Sequence, residues 1–202
     1  MSEIDTILNF WFGDGDRSDP AEVAALSERW FAGGPEFDEE IRHRFDPVWR
    51  RAAAGELDRW SETSAGRLAL IIVLDQFSRN LARGTAAAFA QDAAACRLTL
   101  EGLAAGHDAD LTPMERVFFL MPLQHAEDFA IQERSVGEFR RLCDEAPLAW
   151  RTALTENMRY AYDHRDVIAR FGRFPHRNQA LRRTSTPEEQ AYLDGGGERW
   201  GQ

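Results

Sequence analysis

The sequence contains no lysine, since all 24 of its basic residues are arginine. This absence excludes Schiff-base catalysis, a lysine general base and the phosphate-binding lysine of a P-loop. Codon bias in an alanine-rich chain is an alternative explanation for the missing lysine, but the same mechanisms are excluded in either case.

Cysteine and long apolar runs are also scarce. The two cysteines, Cys96 and Cys143, match neither a disulfide framework nor a zinc motif, so we interpret both as small core residues. The longest apolar run, from Leu68 to Leu74, is far too short to cross a bilayer. The first ten residues carry acids where a secretory signal would carry positive charge, which favours a cytoplasmic protein with no membrane partner.

Acidic residues outnumber basic ones by 34 to 24, which gives a net charge of -10. Such a charge argues against binding to nucleic acids or to an anionic membrane. The arginines are unevenly distributed, because the segment from Arg165 to Arg183 contains six of them and a single acid, Asp166. This segment is therefore positively charged and predicts attraction of a small anion.

Apolar residues recur at helical spacing along most of the chain, and no segment alternates convincingly with a period of two. Capping boxes at Thr112–Glu115 and Thr186–Glu189 mark two helix starts. We predict an all-α protein of nine or ten helices in a single domain, residues 1–202, with a loose tail from about residue 195. The short connections favour antiparallel helical hairpins stacked in an irregular array.

Three of the predicted helices carry the polar residues of interest. The first is a central core helix from Ser64 to Leu81, which is apolar on nearly every side. The second begins at Pro113, is bent by Pro122 and continues through His125 towards Phe129. The third runs from Pro147 to Phe171 and ends at Gly172.

Asp75 on the core helix follows seven consecutive apolar residues, which predicts a buried carboxylate. A buried charge requires a partner, and Arg79, one turn later, is the nearest candidate. The pair is interpreted either as a structural ion pair between helices or as part of a catalytic site. Gln76 and Asn80 add polar groups at the same end of the helix.

Two histidines are predicted to face the interior. His125 lies three residues after Pro122 and is followed closely by Glu127, whereas His164 shares the apolar stripe of its helix. Each histidine, taken alone, is typical of a hydrogen-bonded core residue. Together with Asp75 and Glu127 they are the candidates for general acid or base chemistry.

The densest polar cluster surrounds the break at Gly172. Its side chains could converge on a carboxylate or a phosphate. The alternative is that its arginines pair with the surplus acids and hold down the C-terminal segment. The candidate ligand-binding residues here are Arg170, Arg173, His176, Arg177 and Asn178, with Arg79 from the core helix.

Three histidines and Asp75 would satisfy a metal ion on chemical grounds. The sequence, however, has no His-x-x-x-His, Glu-x-x-His or paired-cysteine spacing to support one. We therefore predict no metal and no cofactor.

Several unusual blocks of sequence allow the chain to be compared with a known family. They are NFWFG, LDQFSRN, RGTAAAFAQD, LTPMERVFFLMPLQHAED, QERSV and RFGRFPHRNQALRRTSTPEE. With these blocks the chain resembles the bacterial domain of unknown function 924 family. The resemblance implies a helical fold similar to tetratricopeptide repeats, and it implies no established activity and no role for any residue. Ser78 departs from the proline expected in the family's core block, which bears on the local geometry beside Asp75.

These observations lead to one leading hypothesis and two alternatives. The leading hypothesis is a pocket that binds a small anionic molecule or an acidic peptide end, formed by the candidate residues converging around one hollow. The first alternative is a hydrolase that uses a histidine and a carboxylate as general base, with or without a metal. The second is a scaffold in which the polar groups specify the packing and a partner recognises an exposed groove.

Overall fold

The computed structural model describes residues 1–198 and residue 200, and these residues contain helices and no β-strand. This confirms the all-α prediction. The remaining residues of the predicted loose tail, 199 and 201–202, lie outside the described residues. The α-helices are α1 (Glu3–Phe12), α2 (Pro20–Ala24), α3 (Ser27–Ala32), α4 (Gly34–Ala53), α5 (Ser64–Ile72), α6 (Ser78–Leu81), α7 (Asp92–Ala105), α8 (Pro113–Gln124), α9 (Phe129–Glu145), α10 (Arg151–Phe171) and α11 (Pro187–Asp194).

Two of these helices form one continuous rod. A single π-helical turn, Val73–Phe77, joins α5 to α6, so the described residues contain ten separate α-helical rods. This number agrees with the predicted nine or ten. None of these helices is both long enough and apolar enough to cross a membrane, within the residues that the structure describes.

The rod formed by α5 and α6 is the centre of the fold, as predicted. Thr63 caps its start by accepting a hydrogen bond from the Gly66 amide at 3.1 Å. Nearly every residue between Gly66 and Leu81 is buried, because α1, α4, α7 and α8 all pack around the rod. A helix that is surrounded on all sides needs apolar residues on all sides.

The π turn places Asp75 and Gln76 in the middle of this rod. π turns inside α-helices occur frequently at functional sites. The hydroxyl of Ser78, which is fully buried, donates to the carbonyl oxygen of Leu74 and accepts a hydrogen bond from the Trp49 indole at 2.8 Å. Ser78, where the resemblance predicts proline, thus stabilises the backbone around the turn.

The prediction that the helix starting at Pro113 continues through His125 is wrong. This helix, α8, contains Pro122 and ends at Gln124, and α9 begins anew at Phe129. The buried amide of Gln132 donates to the carbonyl oxygens of Gln124 and Ala126, both at 2.7 Å, and so satisfies the end of α8. His125 therefore lies in a short connection, which holds its side chain beside the core rod.

The C-terminal part follows the predicted stops and starts. Helix α10 packs along α9 and ends at Gly172, which has the left-handed backbone conformation (φ 69°) that favours glycine. The chain then forms a short 3₁₀ turn, Pro175–Arg177, and the capping box of Thr186 and Glu189 starts α11. Likeness to tetratricopeptide repeats stays a prediction.

Candidate functional site

A cavity of about 140 Å³ lies between the core rod, the α8–α9 connection, α10 and the C-terminal segment. Five of the residues singled out from the sequence line it together. They are Arg79, His125, His164, His176 and Arg177. Residues separated by almost one hundred positions in the chain therefore contribute to a single wall.

Asp75 lies directly behind this wall and is 0% exposed. One of its carboxylate oxygens is 3.1 Å from Nη1 of Arg79 and 2.7 Å from Nδ1 of His125, and the other accepts a hydrogen bond from Gln76 at 2.6 Å. Burial alone would raise the pKa of Asp75, but the guanidinium of Arg79 and the imidazole of His125 hold it well below its usual range. Asp75 is therefore an ionised acceptor that orients two cavity residues.

A second carboxylate, that of the half-buried Asp92 at the start of α7, joins the two arginines of the wall. It lies 3.1 Å from Nη2 of Arg79 and 3.0 Å from Nη1 of Arg177. The charges thus alternate from Arg177 through Asp92 and Arg79 to Asp75. Pairing of this kind is what buried charges require, because an isolated one would be strongly destabilising.

Arg177 is the less completely paired of the two arginines. It is 5% exposed, and its guanidinium lies over the rings of Phe89 and Phe174, at 4.6 and 4.5 Å from their centres. Its Nε is buried and has no hydrogen-bond partner within the described residues. Burial lowers the pKa of Arg177 to about 10, which reflects a cation with too little nearby negative charge.

The two central histidines are held through their Nδ1 atoms. Nδ1 of His125 faces Asp75, and Nδ1 of His164 lies 2.7 Å from the carbonyl oxygen of Tyr160. Burial is the main cause that lowers the pKa of both side chains, and nearby Arg79 lowers that of His125 further. Both imidazoles are consequently neutral at neutral pH.

Besides Asp75, four predicted site residues do not line this cavity. Arg170 pairs with Glu188 on the surface, and Arg173 forms two hydrogen bonds with Glu189, at 2.6 and 2.8 Å. Asn178 also donates to Glu189. The structure does not bring Arg170, Arg173 and Asn178 to this cavity. They pair with the acids of α11 instead, as in the alternative interpretation.

Glu127 does not line this cavity and forms its hydrogen bonds elsewhere. Its carboxylate accepts hydrogen bonds from the Phe174 amide at 2.8 Å and from Arg183 at 2.6 and 2.9 Å. It fastens the turn after Gly172 to the α8–α9 connection. The carboxylate that contacts His125 is that of Asp75.

Sequence reasoning missed several residues of the cavity wall and one that lies behind it. No motif in the sequence points to Asp92. It could have been inferred only from the requirement that Arg79 and Arg177, if buried, have a counterion. Asn157 and Tyr160 belong to the face of α10 that also carries His164, and a helical spacing of three or four residues could have identified them. Trp200 stacks on His164, with 3.8 Å between ring centres, and no local pattern indicates this contact.

Within the part of the chain that the structure describes, no three His, Cys, Asp or Glu side chains are grouped as metal ligands would be. The cavity wall combines guanidinium, imidazole and amide groups with aromatic rings. Chemically, it offers donors to an anion and apolar surface to the body of a ligand.

A family model described as bacterial protein of unknown function (DUF924) matches residues 7–197. The chain belongs to this family. A solved structure of a protein of unknown function from Agrobacterium tumefaciens is 38% identical to this DUF924 chain, with a TM-score of 0.80 over 96% of this chain and 97% of that one. No curated protein matches the sequence. The family resemblance drawn from the sequence blocks is therefore confirmed.

Proposed function

We propose that this DUF924 protein binds a small organic anion in the cavity between the core rod and α10. The observation that carries the proposal is the incomplete pairing of Arg177. This cation is buried, shares its carboxylate partner Asp92 with Arg79, and keeps a buried Nε–H without an acceptor among the described residues. The Arg177 side chain lines the cavity, so a carboxylate or phosphate of a ligand would give this guanidinium a further anionic partner through a charge-assisted hydrogen bond.

The arrangement of charges in the wall supports an anion over a cation. The side chains of Arg79 and Arg177 line the cavity, whereas Asp75 and Asp92 lie behind them. No aspartate or glutamate belongs to the described lining of this cavity. A ligand inside it therefore meets the positive groups first, although the four charges balance formally.

The size and the apolar part of the cavity limit the ligand further. A cavity of about 150 Å³ can hold one benzene molecule, so a cavity of about 140 Å³ suits a compact ligand. Phe31, Phe89 and Trp200 supply aromatic surface for its body. Only the end of an acidic peptide would fit, so a free small molecule is the better candidate.

The proposal is tested by measuring ligand-induced thermal stabilisation and calorimetric affinity with small carboxylates, inorganic phosphate and one acidic peptide. We expect at least one small carboxylate or phosphate to stabilise the protein, as any ligand specific for the native state does. Arg177→Gln should weaken its binding about 10- to 100-fold, since hydrogen bonds to charged groups contribute about 1.5–3 kcal/mol.

Arg170→Gln is the matched control, because Arg170 pairs on the surface with Glu188 and does not line the cavity. Its affinity should equal that of the unchanged protein. Equal weakening by both substitutions, or a panel in which no anion binds, would contradict the proposal.

One observation favours a second function, that of an enzyme with a histidine base. The 2.7 Å contact between Asp75 and Nδ1 of His125 orients an imidazole that lines the cavity, and general bases of hydrolytic enzymes are commonly held in this way. A panel of small esters and amides tests this function. Turnover that falls by about 10²-fold or more in His125→Gln, with ligand binding retained, would support it.

A further inference from the structure

The hydrogen bonds of the two central histidines define which ring nitrogen carries the proton. The ionised carboxylate of Asp75 can only accept a hydrogen bond, so Nδ1 of His125 must be the donor. The carbonyl oxygen of Tyr160 also only accepts, so Nδ1 of His164 is a donor as well. In a neutral imidazole the other nitrogen, Nε2, then carries a lone pair.

Both Nε2 atoms are thus acceptors, and neither forms a hydrogen bond with any described residue. His125 and His164 line the same cavity, with their ring centres 6.1 Å apart. His164 is only 5% exposed, so what remains accessible of its ring faces the cavity that it lines. A ligand that supplies a donor would give one of these acceptors the hydrogen bond that it does not form with the described residues.

We propose that the ligand is a small hydroxy acid, whose acid group binds Arg177 while its hydroxyl donates to the Nε2 atom of His164. This inference rests on the proposed anion-binding function and adds the second half of the recognition. The cavity then binds both ends of one molecule, with hydrogen-bond donors for the acid group and an acceptor for the hydroxyl.

A hydroxyl fits these histidines better than the other common donor, an ammonium group. Arg79 and Arg177 line the same small cavity, and no described carboxylate faces it. A second cation placed among them would be repelled, whereas a neutral hydroxyl would not. The cavity volume of about 140 Å³ also suits acids of a few carbon atoms.

The experiment compares matched acids that differ by one hydroxyl group: lactate with propionate, and 3-hydroxybutyrate with butyrate. Affinities are measured by calorimetry at pH 7.5. We expect the hydroxy acid of at least one pair to bind about 10- to 100-fold more tightly, because its analogue fills the cavity without donating a hydrogen bond to Nε2 of His164. In His164→Phe this preference should shrink, while the affinity for the analogue without the hydroxyl stays the same.

The outcomes separate the two proposals. Equal binding within both pairs would overturn the hydroxy-acid inference and leave anion binding intact, whereas no binding of any of the four acids or of phosphate would count against both. His43→Gln, a change at an exposed histidine of α4, is the control and should preserve the preference.

A second measurement does not depend on the choice of acid or on the folding of a variant. ¹⁵N spectra of the histidine side chains in the unchanged protein report which nitrogen is protonated. We expect Nδ1–H with bare Nε2 for both His125 and His164 at pH 7.5. A proton on Nε2 of His164 would overturn the inference.

Discussion

Asp75 is the residue on which the geometry of the cavity wall most depends. It is fully buried and contacts Arg79, His125 and Gln76 at once. We expect Asp75→Asn to lower the free energy of unfolding by about 3–5 kcal/mol, because the change keeps the shape but leaves Arg79 with less compensation. Urea denaturation measures this loss.

A surface ion pair provides the matched comparison for Asp75. Asp46 pairs with Arg50 one turn later on α4, at 2.7 Å, and the arginine is mostly exposed. Asp46→Asn should change the free energy of unfolding by about 0–1 kcal/mol, since exposed pairs contribute little. Similar losses for the two aspartates would show that burial of Asp75 does not dominate its contribution.

The two central histidines predict how stability depends on pH. Burial lowers the pKa values of His125 and His164 below 6.5, so at mildly acidic pH the unfolded chain binds protons that the native chain does not. Stability rises with pH wherever the unfolded state binds more protons. The histidines' contribution to the free energy of unfolding should therefore be fully present above about pH 6.5. It should decrease as the pH is lowered towards the native pKa values.

This pH effect is measured by urea denaturation between pH 7.5 and 5.5, above the range in which the carboxylates titrate. His164→Phe should make the profile shallower, because the variant lacks one of the groups that the native state keeps neutral. His43→Gln, at an exposed position, should leave the profile unchanged. A profile that is flat in the unchanged protein would contradict the assignment of buried neutral histidines.

At the scale of the helices, local signals were sufficient where a helix begins or ends through its own residues. The Thr186–Glu189 capping box and the left-handed Gly172 lie where the sequence predicts them. The end of α8 was misplaced because its last carbonyl oxygens are satisfied by Gln132, a residue of the next helix. That contact is tertiary, and no local spacing encodes it.

The π turn in the core rod is a second feature that sequence periodicity does not reveal. Ser78 supports it by hydrogen bonds to the Leu74 carbonyl and from the Trp49 indole. We expect Ser78→Ala to destabilise the protein by about 1–3 kcal/mol, because a buried donor and a buried acceptor lose their partner. Chemical denaturation measures the change.

Ser135 is the control for this substitution, because it is equally buried but its hydroxyl has no hydrogen-bond partner within the described residues. Ser135→Ala should therefore be neutral or slightly stabilising. If the two variants lost the same stability, the hydroxyl of Ser78 could not be the support of the turn.

At the scale of the whole molecule, the sequence predicted which types of side chain form the site better than it predicted which individual residues line the cavity. One cavity brings together five of the predicted residues, which are Arg79, His125, His164, His176 and Arg177. Side chains of these types are seldom buried in an apolar core, so a common polar site was expected for them. Arg170 and Arg173 have the same sequence character but pair with acids of α11. Which arginine finds a protein carboxylate is decided by tertiary packing, so composition alone could not separate the two groups.

Trp200 of the C-terminal segment lines the cavity, and this predicts a change in access when its indole is removed. Trp200 stacks on His164 and contacts Phe174 within a small apolar cluster that is separate from the main core. Trp200→Ala should therefore retain the helical fold while it uncovers His164.

We expect diethylpyrocarbonate, which acylates accessible neutral imidazoles, to modify His164 several times faster in this variant, as measured by mass spectrometry. Exposed His43 is the internal reference and should react at the same rate in both proteins. An unchanged rate at His164 would mean that the indole does not control access to the cavity.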